Sequence, residues 1–378
     1  MDGRRHRLSD PALSGAELDR RKSYKPLDVG NGIVSGTLAP NGRLLSLGMA
    51  HPVIGRLWLT ATEPFPESSR GDEDAVRRHR AALAAPDRPS FGSSLLDVAA
   101  DAFLDEDSVP HGVHEDESGR IDVWTVAPTG RAGLAQLIRI TAGEKARLVV
   151  PRWSGRPRLG RADYTQITEG GTIPHPPVAP KEGRDGLVLW IDDRVLDAAV
   201  AVVLPEPVEI GAGATAELIL AVALGRDLHA TIAEARAISR DGARLVADEM
   251  RARRAMWAGL DLANDQAHEI RRGIAYALDC AASRTSENVV AIITDHEILP
   301  LVWTRDAYYI CRALLSAGPR NARARAAVDG FIAWLFDVAE RPDGAWPRAS
   351  LASGQAKDVA FQLDQQLYRC CSSRITLG

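Results

Sequence analysis

Along the first 225 positions, apolar residues fall into short runs separated by Gly, Pro, Asn and Asp, the spacing of half-buried strands. Asn41-Gly42 is a tight hairpin signal between runs at 36–38 and 44–47. Further runs at 121–127, 136–141, 146–153, 186–191, 196–204 and 214–224 predict antiparallel sheets packed as a sandwich. The polar stretch 63–119 reads as an insertion or long loop with one helix at 74–85, and the Pro-rich segment 173–180 as irregular chain.

After Gly225 the apolar spacing changes to three and four residues. A long helix is expected over 230–260, interrupted near Asp241-Gly242. Helices follow at 265–284, with Ile270, Ile274, Leu278 and Ala281 on one stripe behind Asn264, and at 306–317, 321–340 and 357–368. The fold class is therefore multidomain β plus α: a β-sandwich domain over 1–228, a linker helix over 229–262 and a helical domain over 263–378.

Composition and charge narrow the function. With 378 residues, 45% hydrophobic content and a formal charge of -4, the chain has material for two cores and no basic surplus to attract nucleic acid or anionic lipid. No membrane association is expected, and the charged start without an apolar stretch after it makes cytoplasm the default location. The four cysteines have neither metal nor disulfide spacing. Asp105-Glu106-Asp107 with His111, His114, Glu115 and Asp116 carries ligand types without ligand spacing, and reads as a solvated loop.

Two stretches hold the candidate chemistry: Trp303-Thr-Arg-Asp306, and Lys357-Asp358 leading to Phe361-Gln-Leu-Asp-Gln-Gln366. Pro300 forbids helix just upstream, so Trp303 to Asp306 sit where a helix begins. A pyranose presents hydroxyls that suit carboxylate, guanidinium and amide partners, and an apolar face that suits an indole. Taken singly, Asp306 also fits a helix cap, Arg305 a surface charge, Trp303 a core residue and Lys357 a solvated one. Asp295-His296-Glu297 lies just upstream and fits a supporting role.

The Trp303-Thr-Arg-Asp306 run ahead of Tyr308-Tyr309 resembles the WxRD element of six-hairpin, (α/α)6-barrel glycosidases, notably glucoamylase-like enzymes of glycoside hydrolase family 15 and their bacterial relatives. Gly30-Asn-Gly32 through Asn41-Gly42-Arg43 to Pro52 is similar to the opening of the sandwich those bacterial proteins place before the barrel. Asp343-Gly-Ala-Trp346 with Lys357-Asp358 and Gln362-Leu-Asp364 resembles a later barrel loop. The resemblance implies a sandwich followed by an incomplete (α/α)6 barrel. It also implies action on the nonreducing end of α-linked oligosaccharides by an inverting acid/base mechanism, with Trp303, Arg305, Asp306, Gln362 and Asp364 binding substrate and no cofactor or metal required.

In that family the acid and base come from later loops, so neither is identified here and the chain is expected to be truncated and inactive. Restoring one base after the Tyr368 codon turns Arg369-Cys-Cys-Ser-Ser373 into Pro-Leu-Leu-Leu-Glu, which points to a shifted reading frame as the origin of the tail. Two other functions stay open on the sequence: an inverting sugar phosphorylase, and a carbohydrate-binding or scaffold fragment without activity.

Overall fold

The computed structural model describes residues 5–7, 27–62, 72–83, 85, 87–161, 180–258, 267–297, 299–316 and 321–368. The Pro-rich segment 173–179 and the tail 369–378, with its expected frame shift, lie outside the described residues.

Among the described residues, the first part is built from a nine-stranded and a five-stranded sheet, with antiparallel pairing throughout. Their alternating apolar positions meet in one core: Leu38, Leu44, Leu47, Leu57 and Leu59 from the smaller sheet face Val123, Leu134, Ile138, Ile140, Leu218 and Leu220 from the larger. The expected hairpin is present, Val34–Leu38 pairing with Leu44–His51. At its turn Gly42 takes φ +83°, a left-handed value open to glycine at little cost.

The stretch read as an insertion contains more order than its polarity suggested. The helix Glu73–Leu83 is followed by strands Asp101–Asp105 and Val109–Asp116, which pair with each other in the large sheet. The turn between them is not solvated: Asp105, Glu106 and Asp107 are all buried. Asp107 accepts from Arg271 and pairs with His268, Glu106 accepts from Arg254, and Asp105 accepts from Trp124. These partners stand up to 164 residues away, beyond the reach of local pattern. Glu106 and Asp107 hold φ of 49° and 62°, so the ionic partners fix a turn whose backbone is uncommon for such residues.

The helix Leu228–Ala258 runs its 31 residues without the expected break at Gly242. It lies across the outer face of the large sheet, where Ile238 and Val246 pack with Val126, Ala135, Leu137 and Ala221. A side chain at position 242 would come within 2.4 Å of Ile219, so the glycine here is what close packing requires and not a helix stop.

The second part is not purely helical. Ala267–Tyr276 runs into a wider turn, Ala277–Ala281, and then into a hairpin of Ala282–Ser286 with Val289–Ile292. The helix expected over 265–284 therefore gives way to strand at Ala282, and the β-branched Val289, Val290 and Ile292 across an Asn-containing turn supply its partner strand. Helices Thr304–Ser316 and Ala322–Ala333 follow, the latter capped by Asn321 as its sequence suggests. Lys357 and Asp358 close a three-stranded sheet of Leu301–Val302, Ala349–Leu351 and Ala356–Asp358, and the last described helix is confined to 363–368. Both are buried, correcting the solvated reading of Lys357. Among the described residues no helix is long and apolar enough to cross a membrane.

Candidate functional site

The three-stranded sheet delivers Trp303 to the start of helix Thr304–Ser316. Leu301 and Val302 are fixed by pairing with Leu351 and Ser350. The free backbone N–H groups of the first helical turn are then met by a residue the sequence reading did not select. The Gln365 side-chain carbonyl accepts from Thr304 N at 2.7 Å and Arg305 N at 3.3 Å, and Gln365 is fully buried. Gln365 thus occupies a capping role that the sequence alone left open to Asp306.

With the cap filled from elsewhere, Asp306 faces Arg305 at 3.7 Å and its side chain stays 35% exposed. Arg305 Nη1 donates to Asp364 Oδ2 at 2.7 Å, with the two side chains 41% and 32% exposed. One guanidinium therefore sits between two carboxylates, all three reachable from solvent. Gln362 is half-buried and has no hydrogen-bond partner among the described residues. Trp303, also half-buried, packs against an apolar cluster in which Trp58 and Leu83 of the first part meet Leu301, Ala349 and Leu351 of the second.

Helix 363–368 meets helix Thr304–Ser316 twice. Arg305 faces Asp364, and one turn on, Tyr309 and Tyr368 share a hydroxyl bond of 3.0 Å. That bond, more than burial, raises the Tyr368 phenol above its ordinary pKa. The i, i+4 spacing of Arg305 with Tyr309 and of Asp364 with Tyr368 is a sequence signal that pairs the two helices. Gln366 adds a reciprocal clamp on Trp346, donating to its carbonyl at 2.8 Å and accepting from its N–H at 3.2 Å. Trp346 in turn carries Arg341 over its ring at 4.6 Å.

Other candidates are drawn into structure. Lys357 is buried and Asp358 pairs with Arg348. Asp295 accepts from the Tyr276 hydroxyl at 3.2 Å, and His296 packs on the same ring. Glu297 forms a buried pair with Arg88 at 2.6 Å. Among the described residues no group of three or more His, Cys, Asp or Glu could hold a metal ion.

No family model matches the sequence. A search of curated proteins likewise finds no match. Among solved structures the chain is similar to a bacterial glucoamylase complexed with acarbose, with a TM-score of 0.50 and 12% identity over 94% of this chain. The match covers 56% of the glucoamylase, so this chain spans little more than half the length of that protein. The similarity shows a glucoamylase-like, glycoside hydrolase-like fold of mixed strands and helices.

Proposed function

We propose that the mouth of helix Thr304–Ser316 binds a terminal pyranose of an α-linked oligosaccharide, and that the chain is part of a glycoside hydrolase-like protein. The observation that carries this reading is the Arg305 guanidinium, held 2.7 Å from Asp364 and 3.7 Å from Asp306 while all three stay accessible. Such a cluster offers both acceptors and a charged donor to vicinal hydroxyls. Gln362 and Trp303 are proposed to complete the wall. The acarbose in the similar glucoamylase supports a sugar as ligand.

Under this reading residues 1–228 form the sandwich domain, 229–262 the linker helix and 263–378 the first part of an (α/α)6 barrel. The proposed chemistry is inverting hydrolysis at the nonreducing end. It needs one carboxylic acid to protonate the departing oxygen and one carboxylate to activate water, set roughly 6.5–9.5 Å apart. Asp306 and Asp364 are assigned as sugar ligands, not as that pair, because Arg305 shared between them holds them to a binding task.

Titration calorimetry with maltotriose tests the proposal. Saturable binding that is lost in Arg305→Ala supports it, and absence of binding by the unaltered protein contradicts it. Product analysis with and without inorganic phosphate then separates hydrolysis, phosphorolysis and binding alone.

A further inference from the structure

The loop that carries Trp303 is fastened to the sandwich at two places on one short segment. Leu83, the last residue of helix Glu73–Leu83, packs in the apolar cluster that receives Trp303. Five positions later Arg88 is buried, and its guanidinium has two tasks: Nη1 donates to the Leu83 carbonyl at 2.6 Å, and Nη2 stands 2.6 Å from Glu297 Oε1. The other Glu297 oxygen accepts from Thr37 of the smaller sheet, and the Asp295 carboxylate accepts from Glu297 N at 2.8 Å. Arg88 and Glu297 expose only 1% and 7% of their side chains. One guanidinium therefore ties the ring seat beneath Trp303 to the backbone six residues ahead of it.

We infer that Arg88 and Glu297 are positioning residues, a latch by which the sandwich fixes the sugar-binding loop. The inference rests on the binding role proposed for Trp303, Arg305 and Asp306. A buried ion pair gives little net stability, since desolvation offsets attraction, yet removing one partner strands a charge in the interior. Its use here is geometric. With both Glu297 oxygens engaged, the chain between Asp295 and Val302 has a fixed start as well as its strand-paired end, and Arg305 enters its helix in one orientation.

Two measurements on Glu297→Gln, Arg88→Met and the milder Glu297→Asp test the latch. The first is maltotriose affinity by calorimetry, where Glu297→Gln is expected to weaken binding about tenfold, in the range by which residues outside a site modulate it. The Glu297→Gln, Arg88→Met double variant is expected to be no weaker than its worse single parent, because both remove one device. The second is hydrogen exchange of the peptide covering 299–306, which is expected to speed up in each latch variant. It should stay unchanged in Arg139→Met, which opens the half-exposed Arg139–Glu217 pair far along the sheet.

Unaltered exchange in a folded Glu297→Gln or Glu297→Asp protein overturns the latch whatever the ligand. Maltotriose affinity within twofold of the unaltered protein in all three variants overturns its link to binding. If the unaltered protein binds no maltotriose, the sugar assignment fails, and the exchange result alone decides the latch.

Discussion

At the level of single residues, sugar binding depends on which carboxylates are open to a ligand and which are committed to structure. Asp306 is not committed to the helix cap, because Gln365 meets the helix amides in its place, and its pair with Arg305 stays open to solvent. Asp306→Asn is therefore expected to weaken maltotriose binding by about 1.5–3 kcal/mol, the worth of a hydrogen bond to a charged group, with no matching loss of thermal stability. Equal affinity would remove Asp306 from the site. Gln365→Leu should do the opposite, costing roughly 1 kcal/mol of stability as a lost cap does, measured by denaturant unfolding.

Asp28 is committed in another way. Burial raises its carboxyl pKa above 3.8, against the opposing pull of His296 and Arg272. A group whose pKa is higher folded than unfolded favours folding below its unfolded value and loses that contribution as pH rises through the folded one. Asp28→Asn is thus expected to gain more stability relative to the unaltered protein at pH 7 than at pH 4. Unfolding midpoints at the two pH values check the order, and the reverse order contradicts the assignment. The thiols follow the same physics: burial lifts Cys311 to about 12 and Cys280 well above its ordinary value. Both should resist alkylation until the protein unfolds.

At the scale of elements, Gly242 sets two effects against each other. In an exposed helix, glycine to alanine stabilises by about 1 kcal/mol. Here the new methyl would press on Ile219 at 2.4 Å, and overpacking costs about 1–3 kcal/mol. Gly242→Ala is therefore expected to lower the unfolding midpoint, and a rise would show that helix and sheet can move apart.

The same residue shows why some elements were legible in sequence and others were not. The Asn41-Gly42 hairpin and the Asn321 cap are local, and both appear where the pattern puts them. Pro300 rightly signalled a helix start close downstream, with Arg305 and Asp306 in its first turn. The reason for Gly242 lies in Ile219 of the sheet, which local pattern cannot see. Asp105 to Asp107 looked solvated because their partners Arg254, His268 and Arg271 lie far along the chain. Gln365 looks in sequence like its polar neighbours Gln362, Asp364 and Gln366, and only packing tells which of them turns inward.

At the scale of the whole molecule, the sandwich is a scaffold for the site as well as a neighbour. Trp58 and Leu83 belong to the cluster that receives Trp303, while Asp107 clamps Arg271 and His268 of helix Ala267–Tyr276. Asp107→Ala would strand Arg271 in the interior and is expected to cost about 3–5 kcal/mol, readable as an early unfolding transition. The face around the last described helix has a different character: Val359, Phe361, Leu363 and Leu367 are all more than half exposed. Such a patch predicts binding of a hydrophobic dye and concentration-dependent association, both reduced in a Phe361→Ser, Leu367→Ser variant. A monomer that ignores the dye would contradict it.

A crystal structure of the protein soaked in maltotriose observes the place of the sugar ring directly. A terminal pyranose is expected with its hydroxyls within hydrogen-bond reach of Arg305, Asp306 and Asp364. A ring bound elsewhere, with those three side chains contacting only each other, would contradict it.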